Sequence, residues 1–462
     1  MSLSTELQST PGVVELREDV PLKQYSTSSS LCTSGPRLII GAFGVLTIAV
    51  TVALLTQIHF GDYQVVPHGS VSSSAAECSS VGTNVMRDGG GAIDAAIATT
   101  LCLAVVTPHR TSLDASGSLL YWEYRQSRTT EPTLIEWGGV GNAANINATG
   151  PPRLLVGLAA LHAKLGVLSW SKLLQPAIDV ARIGFNVSTG LAMAAASREI
   201  LEYTAGEHRT EPPLAEYLQS LQRNTSEELC IIWSCESSVW WSSVASVLAG
   251  GWRVWTGGAG ARASVALAAA LDPLPLTPLE AFRRVVANLE KQASIAEDTW
   301  PTGVASGLAV VDPQDTYVAL SSGLSVAFGS GNITKNGWRE DIPSAPLDLA
   351  PSILVDETVC GTRYIMGAES LSALAEGAAA VLVNGPLLVV KSVESARVLV
   401  ETNGFLALEP DRLLPPAALS TLQLGPPVNA SLPLPALNVI QQTGDTLLSH
   451  ADSRGGGVAS RF

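Results

Sequence analysis

Residues 297–311 read EDTWPTGVASGLAVV. A Pro-Thr-Gly turn at 301–303 leads through small residues into an apolar run from Gly307 to Val311 that has the character of a strand. The polar turn Pro313-Gln314-Asp315 follows, and then TYVALSSGLSVAFGS, residues 316–330, as further β structure. The strand is therefore placed at Gly307, with Ala305 and Ser306 at its entrance.

Upstream, GSLLYWEY (117–124) and EPTLIEW (131–137) alternate as two more strands. RDGGGAIDAAIATTLCLAVVTPH (87–109) opens on a glycine triplet and continues as a helix that is apolar almost all round, which predicts full burial. The triplet is not a phosphate loop, because no Gly-Lys-Ser/Thr follows it; it reads as a tight turn allowing close packing. Residues 151–185 give two helices, broken near Gly166 and ended by Gly184. Five of the ten tryptophans (Trp233, Trp240, Trp241, Trp252 and Trp255) fall between 230 and 262, as core packing or as an exposed apolar contact patch. No internal repeat is present.

The chain has 462 residues, 46% hydrophobic and 15% charged, enough to bury a large core. Its formal charge is −14 and no basic block occurs, which excludes nucleic acid as a partner. Leu38–Ile58 is 21 residues without a charge, the length of a membrane-spanning helix. Arg17, Lys23 and Arg37 precede it and no Lys or Arg follows until Arg87, so the positive-inside rule keeps the N-terminus cytoplasmic. A cleaved signal peptide is the rival reading, but the run is long, starts late and lacks a small-residue exit. The expectation is a single-pass type II signal anchor at the plasma membrane or in the secretory pathway, after a disordered tail at 1–37, with the bulk of the chain lumenal or extracellular. The five sequons, at Asn147, Asn186, Asn224, Asn332 and Asn429, all lie C-terminal to the anchor. Lumenal exposure permits disulfides among Cys78, Cys102, Cys230, Cys235 and Cys360. Cys32, on the cytoplasmic side, is a free thiol or an acylation site.

The six histidines, His59, His68, His109, His162, His208 and His450, never approach metal-ligand spacing, and no Gly-x-Ser-x-Gly elbow occurs. No metal and no cofactor is expected.

Four separated motifs resemble the gamma-glutamyltransferase (glutathione hydrolase) family, in the family's order. CSSVGTNVMRDGGGAIDAAIATTLCLAVVTPH (78–109) is similar to its N-terminal signature, and LGVLSWSKLLQPAIDVARIGFNV (165–187) to its Trp-x-x-Leu-x-x-Pro stretch. VAFGSG (326–331) resembles its Phe-Gly-Ser turn, and ADSRGGG (451–457) its Asp-Ser-Arg ending. The anchor followed by IHFGD (58–62) resembles the glutathione hydrolase 7 branch. The chain is shorter than the family pattern, and the shortening falls between about 250 and 290.

The resemblance implies an α+β fold, the Ntn-hydrolase four-layer αββα sandwich, preceded by the single transmembrane helix. It implies a large-subunit-like region at 59–304 and a small-subunit-like region at 305–462, separated in the family by self-cleavage. It also implies disulfides Cys78–Cys102 and Cys230–Cys235, with Cys360 unpaired. In the family the new N-terminal Thr is the nucleophile, and its own amine can serve as base. The substrates are glutathione and γ-glutamyl compounds.

Counting back from Phe328-Gly329-Ser330 places Ala305 on that nucleophile. Ala305 has no oxygen and can neither attack a carbonyl nor drive self-cleavage. Ser306 is one substitute, but a one-residue slip on a strand turns the side chain to the opposite face; Thr302 is another, in the turn. The supporting positions also depart from the pattern. Gly138 stands for the carboxylate-binding Arg, and Leu347-Asp348 for a Ser-Ser pair. Ser370-Leu371 replaces the oxyanion Gly-Gly, Ser325 an Asn that holds the glutamyl amine, and Trp338 a Glu; Asp341 keeps an acidic side chain. Beyond Pro108-His109 a Gly-rich lid becomes RTSLDASGS (110–118). The expectation is an inactive, membrane-anchored member of the family with a binding or regulatory role and an unidentified protein partner. The alternatives are an active hydrolase using Ser306 and a truncated product that does not fold.

Overall fold

The computed structural model describes residues 34–60, 68–126, 130–139, 150–275, 277–358, 361–401, 406–412, 414, 428–430 and 433–462. Asn147, Cys360, Cys32 and residues 1–33 of the tail lie outside them. The chain divides into two compact units, Met1–Val65 and Val66–Phe462. The first is carried by helix α1 (Ser34–Phe60), within which Gly35–Thr56 is long and apolar enough to cross a membrane. The helix starts four residues before the apolar run, because Pro36 fits the first helical turn, where no N–H partner is needed.

In the second unit the alternation of strand residues sorts side chains into three cores. One sheet contains β1 (Ser70–Ser73), β2 (Ser116–Glu123), β3 (Thr133–Trp137), β4 (Val239–Ser243), β7 (Val304–Val311), β8 (Thr316–Leu324) and β13 (Ser460–Arg461). Its order is β13-β1-β7-β8-β2-β3-β4. The other contains β5 (Ser246–Ala249), β6 (Trp252–Thr256), β9 (Ala350–Asp356), β10 (Thr362–Ala368), β11 (Leu437–Thr443) and β12 (Thr446–His450), in the order β12-β11-β10-β9-β6-β5. Ala309 and Val311 of β7 meet Ile353, Ile365 and Ile440 of the second sheet, forming the layer between the sheets. Leu308 and Val310, one residue out of phase, pack against α3 (Ala92–Val106) and its neighbours α2 (Ala76–Arg87), α4 (Arg153–Leu165) and α5 (Trp170–Ile183). The outer face of the second sheet carries Val254, Leu354 and Val439 against α7 (Gly260–Leu271), α8 (Pro278–Ile295) and α9 (Leu371–Asn384). Two sheets face to face between two helical layers are the expected αββα sandwich.

Every residue of α3 is buried, as its all-round apolar sequence requires. The two strands at 117–124 and 131–137 and the helix breaks at Gly166 and Gly184 also stand where they are read. The stretch at 250–290 forms β6, α7 and most of α8, with buried Val254, Leu267, Val285 and Leu289. Disulfides join Cys78 to Cys102 and Cys230 to Cys235, the first tying α2 to α3 and the second closing the end of α6 (Ser226–Trp233).

Two expectations change. The strand read from Gly307 begins at Val304, because Val304, Ala305 and Ser306 continue the ladder opposite Leu324, Gly323 and Ser322 of β8. The tryptophan group is neither wholly core nor a single patch. Trp255 is buried between the sheets, Trp240 is 48% exposed on edge strand β4, and Trp233, Trp241 and Trp252 are half-buried.

Candidate functional site

The start of β7 forms one wall of a cavity of about 320 Å³. Ala305 lines it, and its methyl group packs with Leu347 and Leu349 at the end of the inter-sheet space. The direction follows from the phase of the strand. Ala305 shares a face with Gly307, where an added Cβ would strike the Gly367 carbonyl of the second sheet. Ser306 shares the opposite face with Leu308 and Val310. It is fully buried, its Oγ has no hydrogen-bond partner, and it is not among the residues lining the cavity. Thr302 does line the cavity, but its backbone is laddered to the 346–348 segment, with Thr302 N donating to Pro346 O and Asp348 N to Thr302 O at 3.0 and 2.9 Å.

Asp348 and Ser370 come to the same cavity. Ser370 is the N-cap of α9, its Oγ accepting from Ala373 N. Leu371 is buried as a side chain, yet its backbone N–H donates to Asp348 Oδ1 at 2.6 Å. The resemblance puts the family's oxyanion Gly-Gly at Ser370-Leu371, and there the Leu371 N–H is engaged by Asp348. A backbone donor does not depend on its side chain; at Leu371 the donor remains and an internal carboxylate occupies it. Burial pushes the Asp348 carboxyl up to about 7, opposed by that one hydrogen bond.

The other positions are dispersed. Gly138 and Leu347 line a second cavity of about 430 Å³, with Glu136 and Trp240, on the far side of Pro301. Gly138 has φ of +74°, and a Cβ there would lie 2.4 Å from Ser116 Oγ, so the position accommodates no larger residue without a shift. Ser325 is tied to Asp341, donating from both its backbone N and its hydroxyl. Asp341 is fully buried and also ion-paired with Arg153 at 3.7 Å; desolvation raises its pKa against these interactions. Trp338 is buried against Tyr203 and Leu214 around a separate small void.

The sequence reading missed Arg110 and Glu369. Arg110 Nη1 donates to both carboxylate oxygens of Glu369, at 2.8 and 2.6 Å, and both residues line the Ala305 cavity. Ser74 Oγ and Ala436 N also donate to Glu369, which saturates it. The signal was present: an Arg opens the RTSLDASGS run after His109 and a Glu stands among small residues in MGAESLS, with opposite charges. His109 lines the cavity too, 6% exposed, with Nδ1 unpartnered. Burial, and then the charge of Arg110, hold its pKa well below the ordinary histidine value, so the ring is neutral.

A four-layer αββα sandwich with a cavity at the head of a central strand is an Ntn-hydrolase fold. Cephalosporin acylase from Bacillus halodurans shares it, with a TM-score of 0.63 at 17% identity over 86% of this chain and 96% of that one. The chain resembles the gamma-glutamyltransferase (glutathione hydrolase) family, most of all its glutathione hydrolase 7 branch. The gamma-glutamyltranspeptidase family profile matches residues 78–228. Glutathione hydrolase 7 of Bos taurus is 34% identical over 209 residues, and that of Homo sapiens 34% over 212. Each match covers 43% of this chain and 31% of the relative, so the matched stretch spans about a third of the relatives' length.

Proposed function

We propose that this protein is a glutathione hydrolase family member that does not hydrolyse γ-glutamyl amides, anchored by α1 with its folded unit on the lumenal or extracellular side. The observation that carries the reading is the phase of β7: the side chain facing the cavity is the methyl of Ala305, and the nearest hydroxyl on the strand, Ser306, faces the helical layer. Self-cleavage and acyl transfer both need a nucleophile on the cavity side. An oxyanion developing there would also meet the Asp348 carboxylate on the Leu371 N–H, and loss of one such donor typically lowers turnover about 10²–10³-fold. The orientation rests on the charge asymmetry about the anchor. Among the described sequon residues, Asn186, Asn332 and Asn429 are exposed and Asn224 is half-buried, which agrees with glycosylation. The retained cavity suits binding or regulation.

Intact mass of the purified full-length protein, with a γ-glutamyl anilide assay, tests this. The expected result is one uncut chain and no turnover. Two fragments, the second starting at Ser306, with turnover that Ser306→Ala abolishes, would overturn it. Glycosidase treatment is expected to increase gel mobility; an unmodified chain with an extracellular N-terminal tag would reverse the orientation.

A further inference from the structure

The two large sheets end in four edge strands, and two of them are guarded. β13 is only two residues long and carries Arg461. β12 starts beside Asp445 and ends at His450, whose Nε2 lies 2.7 Å from Glu394 Oε1. Short strands and charged side chains are how sheet edges avoid pairing with other chains. The other two edges, β4 in the first sheet and β5 in the second, lack such charges. Residues 237–252, which contain both strands, carry no charge at all, in a chain of net charge −14. Val244 and Ala245 join β4 to β5, so both edges lie at one end of the sandwich, with Val244 buried between the sheets.

Among the described residues β4 pairs only with β3, Val239–Ser243 running opposite Trp137 to Thr133, and β5 pairs only with β6. In an antiparallel edge strand alternate residues turn both N–H and C=O outward, so each strand presents a row of open main-chain groups. The surroundings are apolar. Trp240 is exposed on β4 and Leu248 on β5. The Cys230–Cys235 bridge, with Cα atoms 4.9 Å apart, holds the end of α6 against the turn that enters β4, and α6 exposes Ile231 and Ile232 there.

We infer that β4 is a docking edge for a second copy of this chain, the two β4 strands pairing antiparallel about a twofold axis and joining the first sheets of the two copies. Three features select that occupant. A row of main-chain donors and acceptors is matched only by another extended strand. An antiparallel pair has twofold symmetry, so an edge strand is the backbone complement of its own copy and the contact closes as a dimer. Charge supplies the third. Two copies at −14 repel each other, and close contact is tolerated where neither presents a charge, as at 237–252; salt screens charges separated by more than about 10 Å. A foreign strand selected by charge finds no handle on this edge. The inference is independent of whether the Ala305 cavity turns over substrate, because no residue lining that cavity belongs to β4 or β5.

The test is sedimentation velocity of the full-length protein in detergent over a concentration series, for wild type and for the double variant Ser242→Lys, Ser243→Lys. Both serines are exposed at the end of β4, so the lysines leave the core untouched and bring like charges into the pairing. The expected result is a wild-type monomer–dimer equilibrium with a dissociation constant below about 100 μM, weakened at least about tenfold by the two lysines. Monomer at every concentration overturns the inference and leaves the edge to a strand from another protein. A dimer of unchanged affinity in the folded variant also overturns it, because α1 or another face then holds the copies together. If the variant does not fold, amide hydrogen exchange of the wild type decides. Protection at Val239–Ser243 that rises with the dimer fraction supports the pairing, and exchange there that ignores the dimer fraction refutes it.

Discussion

Two buried charged regions of the folded unit behave differently. Around the C-terminal Asp-Ser-Arg motif, Arg454 donates to both oxygens of Glu409 and to Asp452, while Arg397 donates to Asp452 at 2.7 Å. Backbone carbonyls of Val393 and Ser395 take further donors from Arg454. The Asp452 pKa is lowered even though burial opposes it, because the two guanidiniums outweigh the loss of water. Around the Ala305 cavity, Asp348 has one hydrogen bond among the described residues and burial raises its pKa. Charges matched by several fixed donors hold a structure together; a charge with one donor at a cavity wall leaves capacity for a ligand.

The largest expected effect breaks the saturated region. Arg454→Ala leaves Asp452 and Glu409 buried with fewer partners, and should lower unfolding stability by about 3–5 kcal/mol in a denaturant melt. A loss below about 1 kcal/mol would mean that the network is not the structural element described here. Removing the Cys78–Cys102 bridge by a double Ala substitution should cost about 3 kcal/mol, read the same way, since it closes a loop of sequence separation 24.

A smaller effect sharpens the contrast at Asp348. Its folded pKa, about 7, lies above the usual Asp value, so between roughly pH 4 and 7 the native state binds more protons than the unfolded state. This group's contribution therefore makes stability fall as pH rises through that window, and Asp348→Asn should remove that fall. Melting curves of the two proteins at pH 4.5 and 7.5 measure it; the same pH difference in both would contradict the assignment. The smallest effect is at Ser306. Its hydroxyl is buried without a partner, so Ser306→Ala should leave stability within about 1 kcal/mol or raise it. A loss above 2 kcal/mol would show that the hydroxyl is bonded in solution.

Periodicity and resemblance together made much of this legible. The all-round apolar pattern of 92–106 fixes a buried helix, because no face of it tolerates water. The disulfide pairs came from the family pattern, and both appear in the fold. Ala305 was identifiable as a side chain without an oxygen from the sequence alone. The opposite facing of Ser306 also followed from the two-residue repeat of a strand, even though the strand starts three residues earlier than Gly307.

Tertiary structure decided what the side chains meet. Arg110 and Glu369 are 259 positions apart, and no local pattern pairs them; the packing of the sheets and their loops brings them to one wall. Likewise, the Ser370-Leu371 pair does not say in one dimension which acceptor takes its backbone N–H groups. In three dimensions the Leu371 N–H persists and Asp348 fills it. Sequence determines which groups exist and which face of an element they occupy, through covalent chemistry and backbone period. Whether a charge is matched, buried or left open to a ligand depends on neighbours from distant elements, and only folding supplies those.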